Sequence, residues 1–431
     1  MRTWRIFAAV AGLVAARAAR RETTPLADPA RWESFDLARL GDRYGYGASV
    51  FDGRHVYYGP LTMEGRTHAG ILRFDTAGLF DEPSSWDLFD ASAVTGEDGC
   101  FGGLACDGRF VYFAPFRKGQ VASLDSASVA LRYRIGADFA QPSSWERFDL
   151  AALDRNSGGY FGAEFDGRHV YFAPYYSGSG SIFVRFDTAR AFTDRAAWDV
   201  YDSSRRDIRL KGYVGARFDG RHVYFTPSYN TALSRTATVV LRYDTTMAFD
   251  ADAAWQSQDL TELDGRPGGL HGAEFDGRYL YCVPFYSRDQ GSVATMHHGL
   301  FTRFDATKAL NDRTAWSVFD LRRLGEEVCG FVGSGFDGVF VYLSPGRCNR
   351  AETHGLMLRY DTRKPFDDDA SYQIFDARTL NPRFVYYDGA VAFDGSHLYF
   401  NPGGPQRMML RFRSDVPDDA RRRATRVRQA P

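Results

Sequence analysis

One phrase, Phe-Asp-Gly-Arg-His-Val-Tyr-Phe-x-Pro in variant form, occurs seven times in this 431-residue chain. Its copies are Phe51-Asp52-Gly53, Cys106-Asp107-Gly108, Phe165-Asp166-Gly167, Phe218-Asp219-Gly220, Phe275-Asp276-Gly277, Phe336-Asp337-Gly338 and Phe393-Asp394-Gly395. Successive aspartates lie 55, 59, 53, 57, 61 and 57 residues apart. That period and its aromatic-polar alternation fit a unit of four strands, since helical solenoid repeats are shorter and lack the alternation.

Each unit can be read strand by strand. Asp-Gly between two apolar runs predicts a two-residue type I′ hairpin, with both turn residues at positive φ. Gly159 to Phe165 is then one strand and Arg168 to Phe172 its partner. A variable loop follows the proline and leads to a third strand such as Val184-Arg185-Phe186-Asp187. A fourth strand is marked by Trp86, Trp145, Trp198, Trp255, Trp316 and, in the sixth unit, Tyr372.

The seventh hairpin is followed by Met409-Leu410-Arg411-Phe412 and a basic tail, with no fourth strand. The missing strand stands at the other end, in Arg31-Trp32-Glu33-Ser34-Phe35-Asp36-Leu37. The expected fold is therefore all-β: a seven-bladed β-propeller over residues 28–413, with four-stranded blades and a ring closed by the N-terminal strand. Closure removes sheet edges that would pair with other chains, so a monomer is expected.

This order of parts resembles the Kelch-type propellers, in which a hairpin ends in an aromatic strand and is followed by a Tyr-Asp or Phe-Asp strand and a Trp strand. The double glycine that closes the second strand in Kelch blades is replaced here by a small residue and proline, as in Ala173-Pro174. The pattern is also similar to uncharacterised bacterial repeat proteins. What these resemblances imply is the fold, with no activity or partner.

The 44% hydrophobic and 15% aromatic content suffices for packing between blades, and a net charge of −1 argues against nucleic acid as the main partner. Residues 1–27 read as a leader: the first 21 carry no acidic group, and an apolar run from Ile6 to Ala16 precedes Ala16-Arg17-Ala18. A secretory or periplasmic destination fits this segment, and a mitochondrial or other organellar transit peptide is the alternative. The run is too short to span a membrane. Residues 414–431, with Arg421-Arg422-Arg423, read as a disordered basic tail.

Five cysteines leave at least one thiol unpaired within the chain. Cys329 and Cys348 fall on one face of the ring and can form a disulfide if the chain is exported. Cys100 and Cys106 share a strand, about 20 Å apart and beyond bonding distance. Cys106 and Cys282 replace apolar residues of the repeat and read as core.

The chain holds no phosphate-cradling loop, two-histidine zinc helix, calcium-hand loop or nucleophile elbow. Any site must be assembled from several blades, and residues that break the sevenfold pattern are the candidates. His55, His169, His222 and His397 share one repeat position with Phe110, Tyr279 and Phe340, and read as packing beside the hairpin turn. His68, His298 and His354 each begin a third strand on the face made by the interblade loops and the loops after the second strands, and His271 enters blade five nearby. Imidazoles suit a divalent metal; loop-tethering hydrogen bonds are the other reading.

Blades three to five carry Tyr176, Tyr229 and Tyr286 at one loop position, and Glu164, Arg217 and Glu274 just before the hairpin phenylalanine. Tyrosine faces and hydroxyls suit a sugar or a peptide side chain. The same six residues also read as an interblade Glu-Arg-Glu bridge with tyrosine filler. The preferred function is a noncatalytic recognition propeller that takes a glycan or protein on that face, with no cofactor. The alternative is a metal-assisted hydrolase or lyase, with some of the four histidines holding a cation and Glu164 or Glu274 as base. A purely architectural protein is the third reading.

Overall fold

A computed structural model describes residues 25–41, 45–63, 65–120, 122, 125–175, 180–265, 267–287, 296–348, 352–404, 406–420, 422 and 424. The leader expected over 1–27 lies outside the described residues except for the turn Pro25–Ala27, whose Leu26 is buried.

The chain forms a seven-bladed, all-β propeller. The first blade runs outward through Tyr46–Phe51, His55–Pro60, Gly70–Asp75 and Trp86–Asp90, each antiparallel to the last. Five further blades repeat this order. The seventh takes Tyr387–Phe393, His397–Pro402 and Met408–Arg413 from the end of the chain and Trp32–Asp36 from its beginning. There Trp32 lies opposite Phe412 and Asp36 opposite Met408, so the N-terminal strand closes the ring as the sequence predicts.

Three repeated contacts explain why the same residues recur. In the hairpin, Asp52 accepts from the backbone N–H groups of Arg54 and His55 at 2.7 and 2.6 Å and from the Tyr57 hydroxyl at 2.7 Å. The aspartate-to-tyrosine bond recurs in all seven blades, from Asp107 with Tyr112 to Asp394 with Tyr399. A carboxylate accepting three bonds ties both hairpin strands together. In the outer strand, Trp86 donates its indole N–H to the Phe80 carbonyl at 3.0 Å, and the other tryptophans do likewise six residues back. Between blades, the third-strand arginine sits over an aromatic of the next: Arg73 over Phe139 at 4.3 Å, Arg185 over Phe249 at 4.8 Å, and Arg411 over Phe80 at 4.6 Å across the closure.

The hairpin turn differs from the expected type I′. Gly53 has φ 103°, whereas Asp52 keeps negative φ because its side chain is committed to the backbone beyond the turn. Positive φ at the glycine alone is the pattern of a type II′ turn on Gly53-Arg54.

The terminal segment, expected as a disordered tail over 414–431, is ordered over 414–420, and 425–431 lie outside the described residues. Ser414 donates to Asp337 at 2.9 Å, Asp415 pairs with Arg359, and Val416 is buried in the blade-six core. A Cβ on Gly338 would lie 1.8 Å from the Ala420 carbonyl, so the blade-six hairpin is where this segment docks. Val339 stands there in place of the arginine found in the first five copies, giving the segment an apolar seat.

Innermost strands approach most closely at glycines: a Cβ on Gly215 would lie 2.7 Å from the Gly272 Cα, and one on Gly389 would lie 1.2 Å from the Gly47 carbonyl oxygen. Six of these strands carry one extra residue in a bulge. The seventh places Gly389, Ala390 and Val391 opposite a single residue, Phe400. The longer bulge is held by Asn401, which donates to the Asp388 and Ala390 carbonyls at 2.8 Å each. It brings blade seven into parallel pairing with blade six at Gly333↔Gly389 and Ser334↔Ala390.

Deleting residues through Asp36 would expose the Met408–Arg413 edge and remove Leu26, Trp32 and Phe35 from the core. At ~1.5–3 kcal/mol each, these losses rival the whole stability of a domain. The expected outcome is a chain without a cooperative thermal transition by calorimetry; a transition at the wild-type temperature would show that the ring closes without this strand.

Candidate functional site

Loops after the second strands carry short ribbons on the face where the interblade loops emerge. Tyr229–Asn230 pairs with Arg235–Thr236 on blade four, and Tyr286–Ser287 pairs with Met296–His297 on blade five. The rings of Tyr229 and Tyr286 lie 6.4 Å apart at 31°, both half-buried. Asn230 anchors the blade-four ribbon by donating to the Ile208 carbonyl at 2.9 Å. Tyr176 lies outside the described residues. On blade six the ribbon strand Arg347–Cys348 is fixed by a disulfide from Cys348 to Cys329, with 5.6 Å between their Cα atoms.

The hydrogen bonds of three of the four histidines support the loop-tethering reading. His68, His298 and His354 are buried, and their Nε2 atoms meet the carbonyls of Gly45, Gly268 and Cys329. Their Nδ1 atoms accept from the backbone N–H groups of Gly70, Leu300 and Leu356. Both ring nitrogens are thus occupied, in the tautomer with the proton on Nε2, and each ring tethers an interblade loop to its own blade. Burial pushes His298 and His354 down to about 4, which keeps them neutral. Among the described residues, no group of three or more His, Cys, Asp and Glu side chains is placed to hold a metal ion.

His271 occupies a different place. It belongs to the bulge of the blade-five innermost strand, with Phe161 and Phe285 edge-on at 5.4 and 5.0 Å. Phe116 meets Phe161 at 4.8 Å, and Leu61, Cys100, Tyr175 and Val214 complete an apolar layer across the channel beneath the ribbons. The position of Phe161 and Val214 holds Gly47 and Gly102 in the first two blades, a break in the repeat that could have marked this layer in the sequence.

Glu164, Arg217 and Glu274 lie beyond that layer, inside the channel. The expected single patch of tyrosines and charges is therefore two sites, because the aromatic layer comes between them. Arg217 donates to Glu164 at 3.2 Å and to Glu274 at 3.3 Å, spanning three adjacent blades. Glu274 is 2% exposed and also accepts from the Phe275 backbone at 3.3 Å. Burial, with Glu274 close by, pushes Glu164 up to about 7 against the pull of Arg217. The three line a cavity of about 590 Å³ that runs from His271 to the hairpin turns at Gly53, Gly108 and Gly167. Cys106, expected in the core, is half-buried and lines this cavity.

No family model and no curated protein matches the chain. Among solved structures it is similar to the Pan2 WD40 domain of Neurospora crassa, with 9% identity and a TM-score of 0.56 over 90% of this chain and 97% of that one. At such identity the likeness shows the propeller fold alone. The Kelch-type detail expected from the order of strands finds no support in it.

Folded Glu164 keeps its proton up to about pH 7, whereas an unfolded glutamate releases it near 4.5. Protonation therefore stabilises the ring fully below 4.5, and that contribution is lost as pH rises through 7. Calorimetry of wild type and Glu164→Gln should show the wild-type melting temperature, relative to the variant, falling across this window. A constant difference would show that Glu164 is ionised throughout.

Proposed function

We propose that this chain is a noncatalytic recognition propeller that binds a protein partner through the ribbon-bearing face of blades three to five. The observation that carries this reading is the Tyr229–Tyr286 pair: two half-buried rings side by side on neighbouring ribbons, with the Ser228 N–H bonded to the Gly212 carbonyl and the Tyr286 N–H to the Gly269 carbonyl at the blade entries. Tyrosine contributes large contact area at small entropic cost, and such residues dominate binding energy at protein interfaces. Ribbon strands held on a closed ring lower the ordering cost of association. The Cys329–Cys348 bond supports an oxidising compartment, in line with export. A glycan is the second reading, favoured by the half-buried tyrosine rings side by side.

The test compares wild type with the Tyr229→Ala/Tyr286→Ala double variant in quantitative affinity capture and on a glycan array. A protein retained by wild type should bind the variant at least tenfold more weakly, with the melting temperature unchanged. An array signal lost in the variant would move the ligand to a glycan, and equal capture by both proteins would remove the tyrosine pair from the interface.

A further inference from the structure

The channel cavity lies apart from the ribbon face and has its own chemistry. Its volume of about 590 Å³ lies within the roughly 300–1,000 Å³ of small-molecule sites. Phe51, Phe165, Phe218, Phe275 and Phe393 line its outer part from equivalent positions of five blades. Deeper in, two carboxylates share the single guanidinium of Arg217, the one arginine or lysine among the lining residues. At the floor, His271 backs onto Asp388, a buried acid 3.7 Å away that lies behind the lining. Burying a carboxylate without full compensation is costly. A cation in the cavity would meet two acids and could replace the proton of Glu164, whereas an anion would meet Glu164 and Glu274. Aromatic rings around the path favour a positive charge through their π faces.

We propose that the channel cavity binds a small organic cation with an apolar body, its charged group against Glu164 and Glu274 and its body among the phenylalanines. The cavity is too large for one side chain of a docked protein to fill, which favours a free small molecule. Its depth agrees: the lining strand segments of five or six residues extend about 16 Å. Glu164 faces Arg217, Glu274 and the Phe218 backbone, and it holds its proton to about pH 7, so entry of a cation near neutrality releases a proton.

The test is calorimetric titration of the full chain with benzylamine at pH 7 in two buffers of different ionisation enthalpy. One saturable site per chain with proton release is expected. Glu164→Gln should bind at least tenfold more weakly and release no proton. Ala105→Trp, which fills the cavity from blade two and leaves every charged residue in place, should abolish binding while circular dichroism shows the fold intact. The proposal is overturned by absence of saturable binding to wild type, by equal binding of benzoate, or by affinity unchanged in both variants. A capped lysine-containing peptide that binds as tightly as benzylamine, and is weakened equally by Glu164→Gln, would overturn the small-molecule assignment.

Discussion

The pairing of Trp32–Asp36 with Met408–Arg413 is the constraint on which the rest of this structure depends. Each blade buries one face against the next, so no blade is complete until the ring is. Closure fixes the distance between innermost strands, and that distance sets the channel. At Gly215 and Gly389 the approach leaves no room for a side chain. Arg411 reaching over Phe80 and bonding Glu33 at 2.8 Å shows that blade-to-blade contacts continue unbroken across the join.

Much of this was legible in the sequence because the scaffold repeats. The aspartate and tyrosine recur since they make the same contact in every blade, and the tryptophan and third-strand arginine since theirs repeats in most blades, so blade number, strand order and closure follow from comparing copies. The turn was misread because Asp-Gly reports only a local φ preference; the Asp52 bonds to Arg54, His55 and Tyr57 decide between turn types. The fate of the terminal segment depended on a blade-six seat formed by Val339 and Gly338, a single-copy feature that no repeat comparison flags as a docking site. Depth within the ring was the other blind spot. Tyr229 and Arg217 break the pattern in the same blade, yet loop and strand place them on opposite sides of an aromatic layer whose members come from four different blades. Asp388 escaped notice because its position results from a bulge longer than those of the other six blades.

Functional asymmetry thus lies in departures from sevenfold regularity, and these sort by level. On the ribbon face, tyrosines replace unrelated residues and stay accessible. Inside the channel, Glu164, Arg217 and Glu274 replace the small or apolar residues of the other four blades. The buried histidines form a third class, since their departures serve loop tethering. A buried trio of two acids and one base is a poor way to hold three blades together, because desolvation offsets most of the attraction. On the proposed reading, its presence reflects a ligand of the channel and not a gain in stability.

The most direct test of that view is thermal unfolding of the triple variant Glu164→Val/Arg217→Ala/Glu274→Ala, which gives blades three to five the residue types found at this position in blades one, two and seven. The account predicts a melting temperature equal to or above that of wild type, with the ring intact by circular dichroism. A marked fall would contradict it and identify the trio as a structural clasp between blades.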